Sequence, residues 1–173
     1  MMKYIILSVL FLLAPFFGGC TAGIEKANMV DGSVISSGDL KIRTRLNNPM
    51  FRNRTYAVVK ETAVWDMYCD FWKVLYSQEL YKWNSRFNCV HIANLFVELC
   101  QVQYANKDFN KSPNAEALAL AEVWYHPNKN KKGEDHAVVA IYTDNGLLFL
   151  EPQTGQFVRL TEEEKRSITY VRW

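Results

Sequence analysis
Partway along the chain the hydrophobic period changes, and that change limits what the chain can fold into. Val64, Trp65, Met67, Tyr68, Phe71, Trp72, Leu75 and Tyr76 recur at spacings of three and four, the period of a helix with one broad face buried. Ile92, Ala93, Leu95, Phe96, Leu99 and Cys100 repeat the pattern. Asn88 stands ahead of them, where an Asn side chain can accept a bond from an unpaired first-turn N–H. Beyond position 118 the period becomes two. Leu118, Leu120, Glu122 and Trp124 alternate with Ala119, Ala121, Val123 and Tyr125, as successive side chains do on the two faces of a strand. Residues 136–142 and 147–151 read as strands around the Asp144-Asn145-Gly146 turn, the second ended by Pro152. Residues 156–160, after the Thr154-Gly155 turn, and 168–173 add two more. Helices followed by an antiparallel sheet predict an α+β domain over residues 54–173.

Ahead of that domain lie two segments of different character. Residues 1–19 carry Lys3, an apolar run from Tyr4 to Ala14 and a small-residue end, Gly18-Gly19. The apolar run is shorter than the ~20 residues a permanent membrane helix needs, and the pattern is that of a secretory signal. Gly18-Gly19-Cys20 resembles a bacterial lipobox, which implies lipidation of Cys20 and a membrane-anchored protein of the bacterial cell envelope, facing away from the cytoplasm. An ordinary signal peptide cut near Gly19 is the alternative. Residues 20–53 are polar, with Gly32-Ser33, Ser36-Ser37-Gly38 and Asn47-Asn48-Pro49, and read as a flexible tether reaching roughly 30 Å.

Charge excludes one class of partner. Loss of residues 1–19 removes Lys3 and no acid, so the formal charge of +2 becomes +1. Nucleic-acid binding needs a concentrated basic face, and the basic run Asn128-Lys129-Asn130-Lys131-Lys132 reads as a solvated loop. Cysteine usage is more informative. With Cys20 lipidated, Cys69, Cys89 and Cys100 remain, and an odd thiol in an exported protein is buried, cross-linked or reactive. A Cys69–Cys100 disulfide would leave Cys89 free, but spacing leaves the pairing open. Cys100 by itself reads as a small buried hydrophobe.

Cys89, His136 and Glu151 follow one another in the order nucleophile, base and orienting acid. A cysteine in the first turn of a helix lies beside unpaired N–H groups and the positive end of the helix dipole, both of which favour thiolate. The same N–H groups suit an oxyanion. A histidine at a strand start supplies the base, and a carboxylate on the next strand fixes its tautomer. These are the parts for acyl transfer through a thioester. The plain alternative is a buried thiol, a strand-end histidine and a turn carboxylate. His91 lies roughly 200° around the helix from Cys89, and His126 precedes Pro127 at a strand end. Strand register tests the triad. A two-residue Asn145-Gly146 turn would leave His136 about 13 Å from a position opposite Glu151, so the triad predicts a longer hairpin loop or a bulge.

Arg86-Phe87-Asn88-Cys89-Val90-His91-Ile92-Ala93, Asp135-His136-Ala137 and Leu150-Glu151-Pro152-Gln153-Thr154-Gly155 together resemble the C-terminal papain-like cysteine protease domain of the Marasmius-agglutinin type of mushroom lectin. The resemblance spans about Tyr56 to the end of the chain. It implies a papain-like α+β fold, Cys89 as nucleophile, His136 as base, Glu151 as orienting acid, and calcium-dependent activity on a peptide or protein substrate. Where that family crowds carboxylates around the cysteine, this chain has Asn88, Val90 and His91. Asp66 and Asp135 are the acids nearest in prospect, and no ligand set for calcium follows from the sequence. Three functions are therefore expected: a lipid-anchored envelope cysteine peptidase, a peptidoglycan peptide amidase or endopeptidase, or a non-catalytic binding or inhibitory lipoprotein on a disabled scaffold. The chain shows no cell-wall-binding repeat, which weighs against the second. The missing carboxylates favour the third.

Overall fold
Residues 28–53, polar and aperiodic in sequence, are folded. In the computed structural model, which describes residues 28–81, 86–106, 114–127 and 135–173, strand β1 (Val30–Ser36) leads into helix α1 (Ser37–Thr44) and the short strand β2 (Pro49–Met50). The expected tether is corrected over this stretch. Val30, Ile35, Leu40 and Leu46 are buried, and they escaped the periodicity reading because they are divided among a strand, a helix and a loop. Ser36 caps α1 by accepting the Asp39 N–H at 3.0 Å, and Arg45 ends it in the left-handed conformation. Residues 1–27, with the signal-like run and Cys20, lie outside the described residues, as does the basic run at 128–133.

β3 (Thr55–Val59) and a 3-10 turn (Glu61–Ala63) precede helix α2 (Val64–Ser77), and helix α3 (Cys89–Ala105) follows. Then come β4 (Ala117–Leu118), β5 (Leu120–Tyr125), β6 (His136–Thr143), β7 (Gly146–Glu151), β8 (Gln156–Val158), α4 (Glu162–Arg166) and β9 (Tyr170–Arg172). The strands form one sheet with the order β1-β3-β6-β5-β9-β2, β4 pairing with β3 and β7 lying between β6 and β8. The α+β class holds, and the sheet is mixed rather than antiparallel. β2 runs parallel to β9, and β3 runs parallel to β4 and to the end of β6.

Both faces of the sheet are covered. Ala137, Val139 and Ile141 pack under α2 and α3 with Phe71, Leu75, Ile92, Ala93 and Phe96. Val138 and Ala140 face the second core, where Leu40, Phe149, Leu160 and Trp173 meet. Residues 137–141 of β6 consequently expose none of their surface, and the strand is apolar on both faces. Phe71 and Phe96 lock the two helices edge to face, 5.2 Å between centroids. Truncating the fully buried Phe96 to Ala would cost about 3–5 kcal/mol. Burial fixes α3 on the sheet with its first turn beside the start of β6.

Candidate functional site
Asn88 ends the chain's approach to α3. Its side-chain Oδ1 accepts the Val90 N–H at 3.2 Å, and His91 completes a capping box through Nδ1. Cys89 is thereby the first residue of the helix, half-buried, with a free thiol. Its pKa is lowered, first by a hydrogen bond with the His136 side chain, then by the N–H groups of Ala137 and Val90 and by the imidazolium charge, against the opposing effect of burial.

His136 begins β6, opposite Tyr125 of β5, whose ring meets the imidazole edge-on at 5.8 Å. Its Nε2 pairs with Glu151 Oε2, which leaves Nδ1 for the sulfur. Hydrogen bonds to Cys89 and Glu151 push the imidazole pKa up to about 10, overcoming burial. The two shifts run in opposite directions, one toward thiolate and the other toward imidazolium. Glu151 ends β7 and is buried. Its Oε1 accepts the Gln153 N–H at 3.0 Å, and its backbone carbonyl accepts the N–H of Gly155 at 2.8 Å. The turn that follows the carboxylate holds it in place.

The structure brings the three expected residues together by a route other than the expected one. The hairpin turns tightly on Asp144-Asn145, with Thr143 opposite Gly146 and Val139 opposite Leu150. Continued by one residue, this register sets Glu151 opposite Val138, two residues from His136. Such diagonal neighbours on one face lie about 7–8 Å apart, within reach of long side chains. The predicted longer loop or bulge is corrected, because a carboxylate and an imidazole span the diagonal. The competing histidines have other duties: His91 is exposed and caps α3, and His126 pairs with Asp135 while its backbone bonds Ser167. Cys100 is free and fully buried, so a Cys69–Cys100 disulfide does not form.

Two neighbours of the site went unread in the sequence. Tyr68 of α2 lies close enough to Glu151 that the carboxylate charge adds to burial in pushing its phenol up to about 12. Its ring also occupies the space a Cβ at Gly155 would take, at 2.4 Å from the built position, and Gly155 itself has φ +72°. Glycine is required there twice over, by backbone conformation and by the ring. Tyr125 is likewise pushed up to about 12, by burial and then by the charges of Glu164, Glu151 and Cys89. Both tyrosines sit on the periodic apolar stripes, so nothing in the sequence separates them from core. Calcium does not fit this site. No group of three or more His, Cys, Asp or Glu side chains able to hold a metal occurs among the described residues, and Asn88 and His91 are committed to capping.

No family model and no curated protein matches the chain. Solved structures do. PSL1a in complex with E64 superposes with a TM-score of 0.61 at 16% identity, covering 81% of this chain and 50% of that one. Polyporus squamosus lectin bound to the human-type influenza-binding epitope Neu5Aca2-6Galb1-4GlcNAc gives 0.57 at 17% identity, covering 79% of this chain and 46% of that one. The chain thus spans about half the length of these proteins, and the likeness is one of fold. The matches correct the assignment to a papain-like cysteine protease domain. One of the similar structures is named a lectin, and neither is named a peptidase or hydrolase. They equally give no support to a membrane lipid anchor as partner.

Proposed function
We propose that the chain is a ligand-binding domain rather than an envelope peptidase, with its binding centre at Cys89, His136 and Glu151. The observation that carries this reading is His136 placed between Glu151, with which its Nε2 pairs, and the half-buried helix-start sulfur, whose pKa it lowers. The placement of a helix-borne thiol beside two strand residues gives the ligand a charged anchor. Cys89 acts as the nucleophile, His136 as the proton donor and Glu151 as the acid that orients it. An electrophilic carbon in the ligand receives the sulfur's electron pair and forms an S–C bond. The displaced heteroatom leaves with its own pair and takes the proton from the imidazolium. Support also comes from PSL1a, a similar structure solved with E64.

Intact-mass and peptide-mass measurements after treatment with iodoacetamide or with E64 test this. One adduct at Cys89, surviving dialysis and absent from Cys89→Ser, is the expected result. No adduct at Cys89 under conditions that label an ordinary thiol would sink the reading.

A further inference from the structure
Side-chain bonds between α3 and β5 fix how far each residue of one stands along the other. Gln101 bonds both the N–H and the carbonyl of Leu118, at 2.9 and 3.0 Å. Nearer the helix start, Asn94 Nδ2 donates to Glu122 Oε2 at 3.5 Å. The helix therefore runs antiparallel to the strand, and two residues of strand match about one helical turn. One more step brings Val90, the neighbour of Cys89, level with Trp124. The strand register adds two residues to that row. Trp124 stands directly opposite Ala137 of β6 and Tyr170 of β9, and residues opposite each other across antiparallel strands share a face. The N–H of Ala137 is one of those that favour the Cys89 thiolate. Trp124 and Tyr170 thus stand beside the helix start, on the side of β6 away from Glu151, because β5 and β7 pair with opposite edges of β6.

Every other residue of β5 is buried, yet Trp124 is only half-buried, as are Tyr170 and Val90. The Trp124 and Tyr170 rings lie 4.7 Å apart between centroids, tilted by 40°. The indole is held in place: its Nε1–H donates to Glu122 Oε1 at 2.7 Å, and the Trp124 carbonyl accepts the Thr169 N–H at 3.0 Å. Glu122 is itself buried, and its other oxygen pairs with Arg172 at 2.9 Å. An indole has one polar atom, a donor, and here that donor is bonded to a carboxylate whose charge Arg172 meets. What remains for a ligand is ring surface. We infer that Trp124, Tyr170 and Val90 form the part of the Cys89 binding centre that receives an aryl group borne next to the ligand's reactive carbon, which rests on Cys89 being the anchor proposed above. An ion set there would lose water without gaining a partner. A flat ring can stack on such faces or meet them edge-on, and gains beyond the area it covers. An aliphatic ring of the same size covers the area but lacks that geometry.

The test compares alkylation of Cys89 in the full chain by iodoacetamide, N-benzyl-iodoacetamide and N-cyclohexylmethyl-iodoacetamide. All three react alike: the sulfur's electron pair forms the S–C bond, and iodide leaves with the C–I pair. With each rate divided by that for N-acetylcysteine, the benzyl reagent should label Cys89 about tenfold faster than iodoacetamide and about threefold faster than the cyclohexylmethyl reagent. Its rate should also saturate with concentration. Trp124→Leu should bring the benzyl preference close to nothing. Tyr170→Leu, at a half-buried ring, should lower it severalfold and keeps the test sound if the first variant misfolds. A noncovalent readout separates the subsite from the anchor: in Cys89→Ser, N-benzylacetamide should shift the Trp124 indole N–H resonance saturably. A thiol that labels without benzyl preference, equal benzyl and cyclohexylmethyl rates, a preference that survives both ring substitutions, or no indole shift would each overturn the aryl subsite and leave Cys89 as the anchor. A Cys89 that none of the three reagents labels would remove the anchor, and the subsite with it.

Discussion
Two free thiols on one helix, eleven residues apart, have opposite chemistry. Cys89 at the start of α3 is half-buried, and its pKa falls because His136 and two backbone N–H groups receive the sulfur's charge. Cys100, three turns on, is fully enclosed, and its pKa rises, chiefly through burial and secondarily through the charge of Asp70. The helix contributes the same backbone to both. The difference is that the first turn has unpaired N–H groups and a strand end beside it, whereas Cys100 lies inside the helix, where burial and the Asp70 charge both oppose a thiolate. A thiol becomes reactive through what surrounds its charged form, not through exposure alone.

The sharpest way to break this contrast is site-resolved alkylation against pH. At pH 6, Cys89 should label about a hundredfold faster than Cys100 in native protein, and the two rates should converge once the chain is unfolded. Equal native rates would dissolve the comparison. The pH profile carries its own sign check. Cys89 has a depressed pKa, so its thiolate is present above the ordinary thiol range and is lost only as pH falls through the lowered value. His136 has a raised pKa, so its proton is fully held below about 6.5 and is lost as pH rises through about 10. Iodoacetamide, which needs no proton, should therefore react on a plateau that continues past pH 10. An epoxide, whose opening oxygen must be protonated, should lose rate above it.

Gly155→Ala tests how the acid end is held. A Cβ there meets the Tyr68 ring and a left-handed backbone, and the expected loss is about 2 kcal/mol of stability by denaturant titration, with Cys89 labelling slowed as Glu151 shifts. Unchanged stability would mean that Tyr68 yields freely. Glu151→Gln should lower Cys89 labelling at pH 6 about tenfold, because the neutral amide no longer supports the imidazolium. A His136 pKa left near 10 in that variant, by NMR titration, would show that the sulfur alone holds the proton. The smallest effect belongs to the core thiol: Cys100→Ala should cost about 1 kcal/mol in stability and leave Cys89 labelling untouched.

What could be read from the residues differs along the chain for physical reasons. α3 begins at Cys89 because Asn88 offers a cap, and capping is local chemistry visible in four residues. The strand character of residues 136–142 was legible in the same way, since a short apolar run with Val and Ile ending at a turn signal is a property of neighbours. The sheet's parallel pairings were not, because β2 with β9 joins residues more than a hundred positions apart. The folded segment at 28–53 hid for the opposite reason: each piece is too short for its period to show.

Sequence by itself determined the start of α3, the strand character beyond position 118 and the residue types able to share a proton. Tertiary structure alone decided that they meet, because the reach between His136 and Glu151 depends on a two-residue turn and a diagonal register. It also decided that Tyr68 and Gly155 fit only together. Local bonding is encoded within a few residues. Burial and electrostatic neighbours exist only once distant segments have packed.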